Sequence, residues 1–209
     1  AYEISTRDWS SDVCSSDLGT WSLGAIGNTP VAGSFTLNQG TVIVSGANSL
    51  GASSAPLTIN GGTIQSSGTI TFAPTNITVG GDFTLTGTGN QNYPGAIALG
   101  SSTRTITNST TSGSRQFLGV ISGGAGAGIT FTGTGGAQFY VGNQANTFSG
   151  PISITGGEVL FNDNGAFGNS TSITLDGGRL TIGSMNTSGT AAAITAATIA
   201  STRNLFVGS

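Results

Sequence analysis

The feature that most constrains this chain is a run of short alternating segments between residues 117 and 182. Apolar residues recur there at every second position and alternate with Thr or Ser, as in Ile152, Ser153 and Ile154. Glycine pairs such as residues 156–157 separate the segments. A period of two bounded by Gly-rich turns is typical of short β-strands with one buried face. The run therefore predicts an all-β fold of many short strands.

The pattern occurs twice along the chain. Residues 35–51 align with residues 152–168, and residues 59–64 align with residues 175–180 after the loss of one residue. Similar segments recur about every 20 to 25 residues, a spacing that fits one coil of a solenoid. Thr, Val and Ile suit a pleated surface, and glycine suits the corners between strands. The internal repeat therefore predicts stacked coils of parallel strands.

Four short pieces of the organising run match a known repeat in the expected order. They are residues 120–123 (VISG), 132–135 (TGTG), 146–150 (NTFSG) and 175–178 (LDGG). The run thus resembles the autotransporter-associated β-strand repeat, also called the passenger-associated transport repeat. The resemblance implies a β-solenoid from a secreted or surface-exposed bacterial protein. It does not imply a particular chemistry.

The pattern and the resemblance together predict the fold class and the division of the chain. We expect an all-β, right-handed parallel β-helix (β-solenoid) that is truncated at both ends. Residues 19–209 are expected to form one repeat domain, since about 190 residues can bury a sizeable core. Residues 1–18 are expected to be a non-native junction.

The junction contains a recognisable foreign segment. Residues 8–18 read DWSSDVCSSDL, and these eleven residues match the translation of a common short-read sequencing adapter. A segment of that origin was never selected to pack. We therefore expect an irregular end that is not in register with residues 35–64. Deletion of residues 1–18 is expected to leave the melting temperature nearly unchanged.

The charge of the chain excludes several kinds of partner. The formal charge of −3 includes three aspartates of the adapter-like segment, without which five acids balance five arginines. The arginines considered are Arg104, Arg115, Arg179 and Arg203. They are too few for a groove that tracks phosphates, so no nucleic-acid partner is expected. No run approaches the roughly 18 apolar residues of a membrane helix, so no membrane span is expected in this fragment.

The sequence offers little catalytic chemistry. It contains no His, and Cys14 lies in the adapter-like segment, which removes the commonest metal ligands and catalytic triads. Residues 163–165 resemble part of a calcium loop, and residues 80–82 resemble part of a calcium-binding nonapeptide, but both lack the other ligands. Residues 123–128 are rich in glycine but lack the Lys and helix of a phosphate loop. We predict no catalytic residue, no metal ligand and no cofactor.

Acidic residues and aromatic residues leave two alternatives open. Asp163 and Asp176 could approach each other across neighbouring coils, as a polysaccharide-cleaving β-helix enzyme would require of its acids. A structural role for scattered acids is favoured over that pairing. Tyr93, beside Pro94, and Tyr140, between Phe139 and Val141, are the candidate glycan contacts.

The favoured function is a structural or display segment of a secreted or cell-surface, outer-membrane-associated bacterial protein. An autotransporter passenger domain or an adhesin stalk would fit the resemblance. Its expected partners are host or environmental glycans or neighbouring repeats. The alternative is a polysaccharide-active enzyme of the β-helix class. We favour the non-enzymatic function because no cluster of acids is visible in the sequence.

Overall fold

The fold is described from a computed structural model of the chain. The structure describes residues 14–16, 19–23, 33–110, 112–134, 136–183 and 199–208. In residues 14–16 the backbone alone is described.

In the described residues, twenty-one short strands, numbered in chain order, form three parallel sheets. Sheet I contains β1 (Cys14–Ser16), β3 (Phe35–Leu37), β5 (Leu57–Ile59), β8 (Asn76–Val79), β11 (Ala96–Ala98) and β14 (Ile121–Ser122). Sheet II contains β2 (Thr20–Leu23), β4 (Thr41–Val44), β6 (Thr63–Ser67), β9 (Phe83–Thr88), β12 (Arg104–Asn108), β15 (Ile129–Gly133), β17 (Ile152–Ile154), β19 (Ser172–Leu175) and β21 (Asn204–Val207). Sheet III contains β7 (Ile70–Thr71), β10 (Gln91–Tyr93), β13 (Ser114–Phe117), β16 (Gln138–Val141), β18 (Glu158–Phe161) and β20 (Arg179–Ile182).

From β5 to β16 the chain winds from sheet I to sheet II to sheet III and then begins the next coil. The described strands before β5 alternate between sheets I and II, and those after β16 alternate between sheets II and III. Every strand pairs in parallel with the equivalent strand of the neighbouring coil. Ile129, Ile152 and Ile173 are thus stacked in one column across three coils. About seven turns stack in this way, and a single short 3-10 helix, Asn164–Phe167, is the helical element of the described residues. The predicted all-β parallel β-solenoid is confirmed.

Alternating side chains point into and out of the solenoid. Ile152 and Ile154 are fully buried, and Ser153 between them is partly exposed. The same alternation in β3, β4 and β5 places Leu37, Val42 and Leu57 inside. The predicted facing of the strands is therefore confirmed. A continuous apolar core from Leu23 to Ile173 results, and Ile199 packs against its C-terminal end.

The two copies of the internal repeat have the same local structure but occupy different sheets. In the first copy β3 lies in sheet I and β4 lies in sheet II. In the second copy the aligned strands, β17 and β18, lie in sheets II and III. The repeat unit is therefore displaced by one side of the solenoid between its two occurrences.

The N-terminal segment departs from expectation at three residues. Cys14–Ser16 form β1, which pairs in parallel with β3, Cys14 opposite Phe35. The expectation that the segment would not pair in register with residues 35–64 is wrong for these residues. An open strand edge offers unpaired N–H and C=O groups to almost any extended chain, which is the physical reason. The remaining residues of the junction, 1–13 and 17–18, lie outside the described part of the chain.

Candidate functional site

An open groove lies on the outside of the solenoid, where strands of sheet II turn into strands of sheet III. Its volume is about 520 Å³. Its floor consists of Gly133, Gly136, Gly156, Gly157, Gly177 and Gly178. Its polar lining consists of Gln138, Thr155, Glu158 and Arg179. A groove of this size could receive a small ligand or part of an extended polymer.

Glycine forms the floor because the coils approach too closely there for a side chain. A Cβ on Gly156 would overlap the carbonyl oxygen of Gly133 in the preceding coil. Gly157 has a φ of 72°, in the left-handed region that other residues rarely adopt, and its Cβ would lie 2.8 Å from the Ala137 carbonyl oxygen. The concave shape of the groove therefore follows from the turn chemistry of the repeat.

Glu158 occupies the centre of the polar lining and is fully engaged by its neighbours. Its Oε1 accepts a hydrogen bond of 2.7 Å from the Thr181 hydroxyl and lies 3.0 Å from Nη2 of Arg179. Its Oε2 accepts a hydrogen bond of 3.2 Å from Nε2 of Gln138. Gln138, Glu158 and Arg179 are stacked in successive coils, in one column of sheet III. The carboxylate therefore links three coils.

The other described carboxylates are not among the residues that line this groove. Asp82 Oδ1 accepts a hydrogen bond of 2.7 Å from the backbone N–H of Thr105 in the next coil. Asp163 caps the 3-10 helix, because its Oδ1 accepts 2.7 Å from Gly165 N–H. Asp176 follows a strand of sheet II, whereas Asp163 follows a strand of sheet III. The structure thus places Asp163 and Asp176 at different corners of the coil.

Glu158 is the one carboxylate among the residues that line the groove. Glycoside hydrolysis ordinarily uses two carboxyl groups that flank one bond. The groove contains Glu158 alone, and three donors already occupy its oxygens. In the described part of the chain, no group of three or more His, Cys, Asp or Glu residues could hold a metal ion.

The glycine-rich segment at residues 123–128 forms a tight turn between β14 and β15. Gly124 N–H donates 2.6 Å to the Gly100 carbonyl of the preceding coil, and Ala127 N–H donates 3.1 Å to the Gly124 carbonyl. Ala127 is fully buried. The backbone N–H groups of Gly124 and Ala127 are thus directed at other carbonyls of the chain, which supports the interpretation of the segment as a turn.

The two candidate glycan contacts occupy different environments. Tyr93 points into the solenoid, is 2% exposed, and stacks between Phe72 and Phe117 at centroid distances of 4.7 Å and 5.6 Å. Both faces of its ring are thus covered, so the prediction that Tyr93 contacts a glycan is corrected: the residue belongs to the core. Tyr93 lies in register with Phe117 of the next coil.

Tyr140 points outward, as expected for a residue between the inward-facing Phe139 and Val141. Its ring nevertheless lies against Gly142, beside Leu118, and only 9% of the residue is exposed. The glycan contact at Tyr140 stays a prediction.

A cluster of polar side chains lies inside the solenoid, where sequence reasoning placed none. Gln91 is fully buried, and its Nε2 donates 2.8 Å to the Thr86 carbonyl and 3.0 Å to the Ser66 hydroxyl. The Tyr93 hydroxyl donates 2.9 Å to Gln91 Oε1. Arg115 follows Gln91 in the same inward-facing column. We call Ser66, Gln91, Tyr93 and Arg115 the polar interior.

In the polar interior, burial and the neighbouring titratable group shift each pKa in opposite directions. Burial raises the pKa of Tyr93 far above its ordinary value, and the nearby Arg115 opposes that rise. Burial lowers the pKa of Arg115, and Tyr93 opposes that change. The Tyr93 hydroxyl therefore remains protonated at neutral pH and can donate to Gln91.

The remaining described arginines have structural partners. Arg104 Nε donates 3.1 Å to the Leu99 carbonyl. The guanidinium of Arg203 bonds the carbonyls of Asn164, Gly168 and Ser170 and lies over the Phe167 ring, 5.4 Å from its centroid. Arg179 is 73% exposed and bound to Glu158. The contacts of Arg179 and Arg203 join different coils, whereas that of Arg104 lies within one coil.

Comparison with protein-family models, with curated proteins and with solved structures returned no match. In the part of the chain that the structure describes, no helix has the length and apolar character needed to cross a membrane.

Proposed function

We propose that this chain is a structural display segment of a secreted or surface-exposed bacterial protein, in the manner of a passenger domain or an adhesin stalk. The observation that carries the proposal is that acidic side chains form hydrogen bonds between coils. Asp82 bonds the backbone of the next coil, and Glu158 bonds side chains of the coils on either side. These groups stabilise a rod and present no free acid–base pair.

The sequence resemblance to the passenger-associated transport repeat supports the surface location. A solenoid suits display because each coil adds length while contacting only its neighbours. Neighbouring repeats and glycans are the partners that such a segment would meet.

A polysaccharide-active enzyme is the second candidate, and the groove around Glu158 is the observation that favours it. Its size and polar lining suit part of an extended sugar chain. Since a single engaged carboxylate lines it, we expect the groove to bind weakly and to cleave nothing.

The first test separates these functions by activity. The full chain is incubated with polygalacturonate and with alginate, and products are measured by mass spectrometry. We expect no product above a no-protein control. Product release that Glu158→Gln abolishes would assign an enzyme and overturn the structural proposal.

The second test concerns location. Antibodies raised against the folded chain are applied to bacteria that carry the complete gene, before and after permeabilisation. We expect equal labelling of intact and permeabilised cells. Labelling that requires permeabilisation would contradict a surface role.

A further inference from the structure

Arg115 is a charged side chain enclosed within the solenoid. It lies two residues before Phe117 in β13 and therefore shares the inward face of that strand. It is stacked between Gln91 of the preceding coil and Phe139 of the next coil, which are both fully buried. Arg115 itself is 0% exposed. A guanidinium at such a position has lost its hydration and requires compensation from its surroundings.

The surroundings satisfy one side of the guanidinium. Nη1 donates 2.8 Å to the Gly89 carbonyl and has a weaker contact of 3.4 Å with the Ser114 carbonyl. Nε and Nη2 have no hydrogen-bond partner among the described residues. Arg203 provides the contrast, because it is less enclosed and its Nε, Nη1 and Nη2 all have acceptors. The free groups of Arg115 are therefore particular to that site.

The free N–H groups of Arg115 lie on one edge of the guanidinium. Nε–H and Nη2–H are the two parallel donors that arginine uses to bind an anion side by side. An unpaired edge of this kind is built for an acceptor that carries negative charge.

The described residues supply no negative charge at this edge. No described carboxylate forms an ion pair with Arg115, and Glu158 already pairs with Arg179. Tyr93 is the titratable group that acts on the pKa of Arg115, and burial keeps Tyr93 neutral. A water molecule would satisfy the donors but would leave the charge of a buried arginine uncompensated.

We propose that the Nε and Nη2 edge of Arg115 binds a small monovalent anion of the halide class inside the solenoid. A single-atom anion with one negative charge balances the guanidinium and accepts both donors. Sulfate and carboxylates are larger, and complete enclosure of Arg115 disfavours them. The anion would act as an interior counterion that stabilises the coils of β10, β13 and β16.

The test is the dependence of the melting temperature of the full chain on the anion. Sodium chloride and sodium bromide are compared with sodium gluconate at equal ionic strength. Binding to the folded state alone raises the melting temperature by mass action, by on the order of 5 °C at a hundredfold excess over Kd for a chain of this size. We expect a saturable rise with chloride and bromide. Equal melting curves in all three salts would overturn the proposal.

Two variants assign the effect to the site. Arg115→Met removes both free donors while keeping a long apolar stem, and its melting temperature should not distinguish chloride from gluconate. Arg203→Met is the matched control and should retain the halide response. A halide response that persists in Arg115→Met would contradict the assignment.

Diffraction provides a measurement that does not depend on the folding of a variant. Crystals of the unmodified chain grown in bromide should show an anomalous peak about 3.3 Å from Nε and Nη2 of Arg115, at hydrogen-bond distance for a large anion. Density for a water molecule at that position, without an anomalous peak, would sink the proposal.

Discussion

Residues 35–51 and residues 152–168 have the same hydrogen-bonded structure on different sides of one solenoid. In the first copy, Ser49 N–H donates to the Gly46 carbonyl and Gly51 N–H to the Asn48 carbonyl. The aligned groups of the second copy form the same bonds, from Ala166 to Asp163 and from Gly168 to Gly165. The large buried side chain of this turn is Leu50 in one copy and Phe167 in the other. Local sequence therefore determines the strand, turn, strand and helical turn.

The copies differ in the sheets to which their strands belong. A strand joins a sheet because of the coil on which it stacks, and that partner lies more than 20 residues away in the chain. The intervening coils form short strands on all three sides, which allows the unit to shift by one side. Sheet membership is thus a property of stacking, whereas the turn is a property of sequence.

The largest expected effect comes from charging the shared interior position. Ile154→Asp and its first-copy equivalent, Leu37→Asp, would each place an unpaired carboxylate at a fully buried site. We expect each to lower the free energy of unfolding by about 4 kcal/mol or more. The outward controls Ser153→Asp and Thr36→Asp should each cost under about 1 kcal/mol. Equal losses for inward and outward variants, measured by urea denaturation, would contradict the assigned facing.

A smaller effect should separate the copies by the size of their core residues. Phe161 and Val44 occupy aligned, fully buried positions, and Phe161 stacks on Phe167 at a centroid distance of 4.2 Å. Phe161→Ala should cost about 3–4 kcal/mol because it leaves a large cavity. Val44→Ala should cost about 2 kcal/mol. If the two variants unfold at the same urea concentration, the second copy does not depend on its aromatic packing.

The coils between the copies should respond to pH through Tyr93. Its folded-state pKa lies above the unfolded value of about 10, so its stabilising contribution is complete below pH 10 and decreases as the pH rises further. We expect stability to fall above pH 10 by up to about 1.4 kcal/mol per pH unit. Tyr93→Phe should lack this part of the decline. If the stability of the unmodified chain and that of the variant decline in parallel between pH 9 and pH 11, the predicted contribution of Tyr93 is wrong.

The smallest expected effect concerns a pair of outward-facing residues that is charged in one copy and neutral in the other. The second copy stacks Glu158 beside Arg179, whereas the aligned positions of the first copy are Thr41 and Thr63. Because Arg179 is 73% exposed, solvent screens the ion pair. Replacing Glu158 and Arg179 together by Thr should change stability by less than about 1 kcal/mol. A loss above 2 kcal/mol would show that the second copy requires its ion pair.

The sequence predicted the strands well, because the alternation of Ile152, Ser153 and Ile154 records which face each side chain takes. It did not predict the polar interior. Arg115 and Gln91 also alternate with inward-facing Phe117 and Tyr93, but polar residues of these types are seldom buried, so they were not predicted to lie inside. Alternation was the better guide at these positions, since a solenoid can satisfy polar groups with carbonyls of neighbouring coils. The groove at Glu158 depends on the stacking of three coils, which no local pattern specifies.

The parallel stacking has a mechanical consequence. The ladder hydrogen bonds run along the axis of the rod, at about 4.8 Å per coil, while the strands run across it. Tension applied between the two ends of the chain would therefore load the bonds of one terminal coil at a time, because each coil contacts only its neighbours. We expect such a rod to unravel in small successive steps at low force, and to yield gradually where a sheared sandwich of antiparallel strands would break at once.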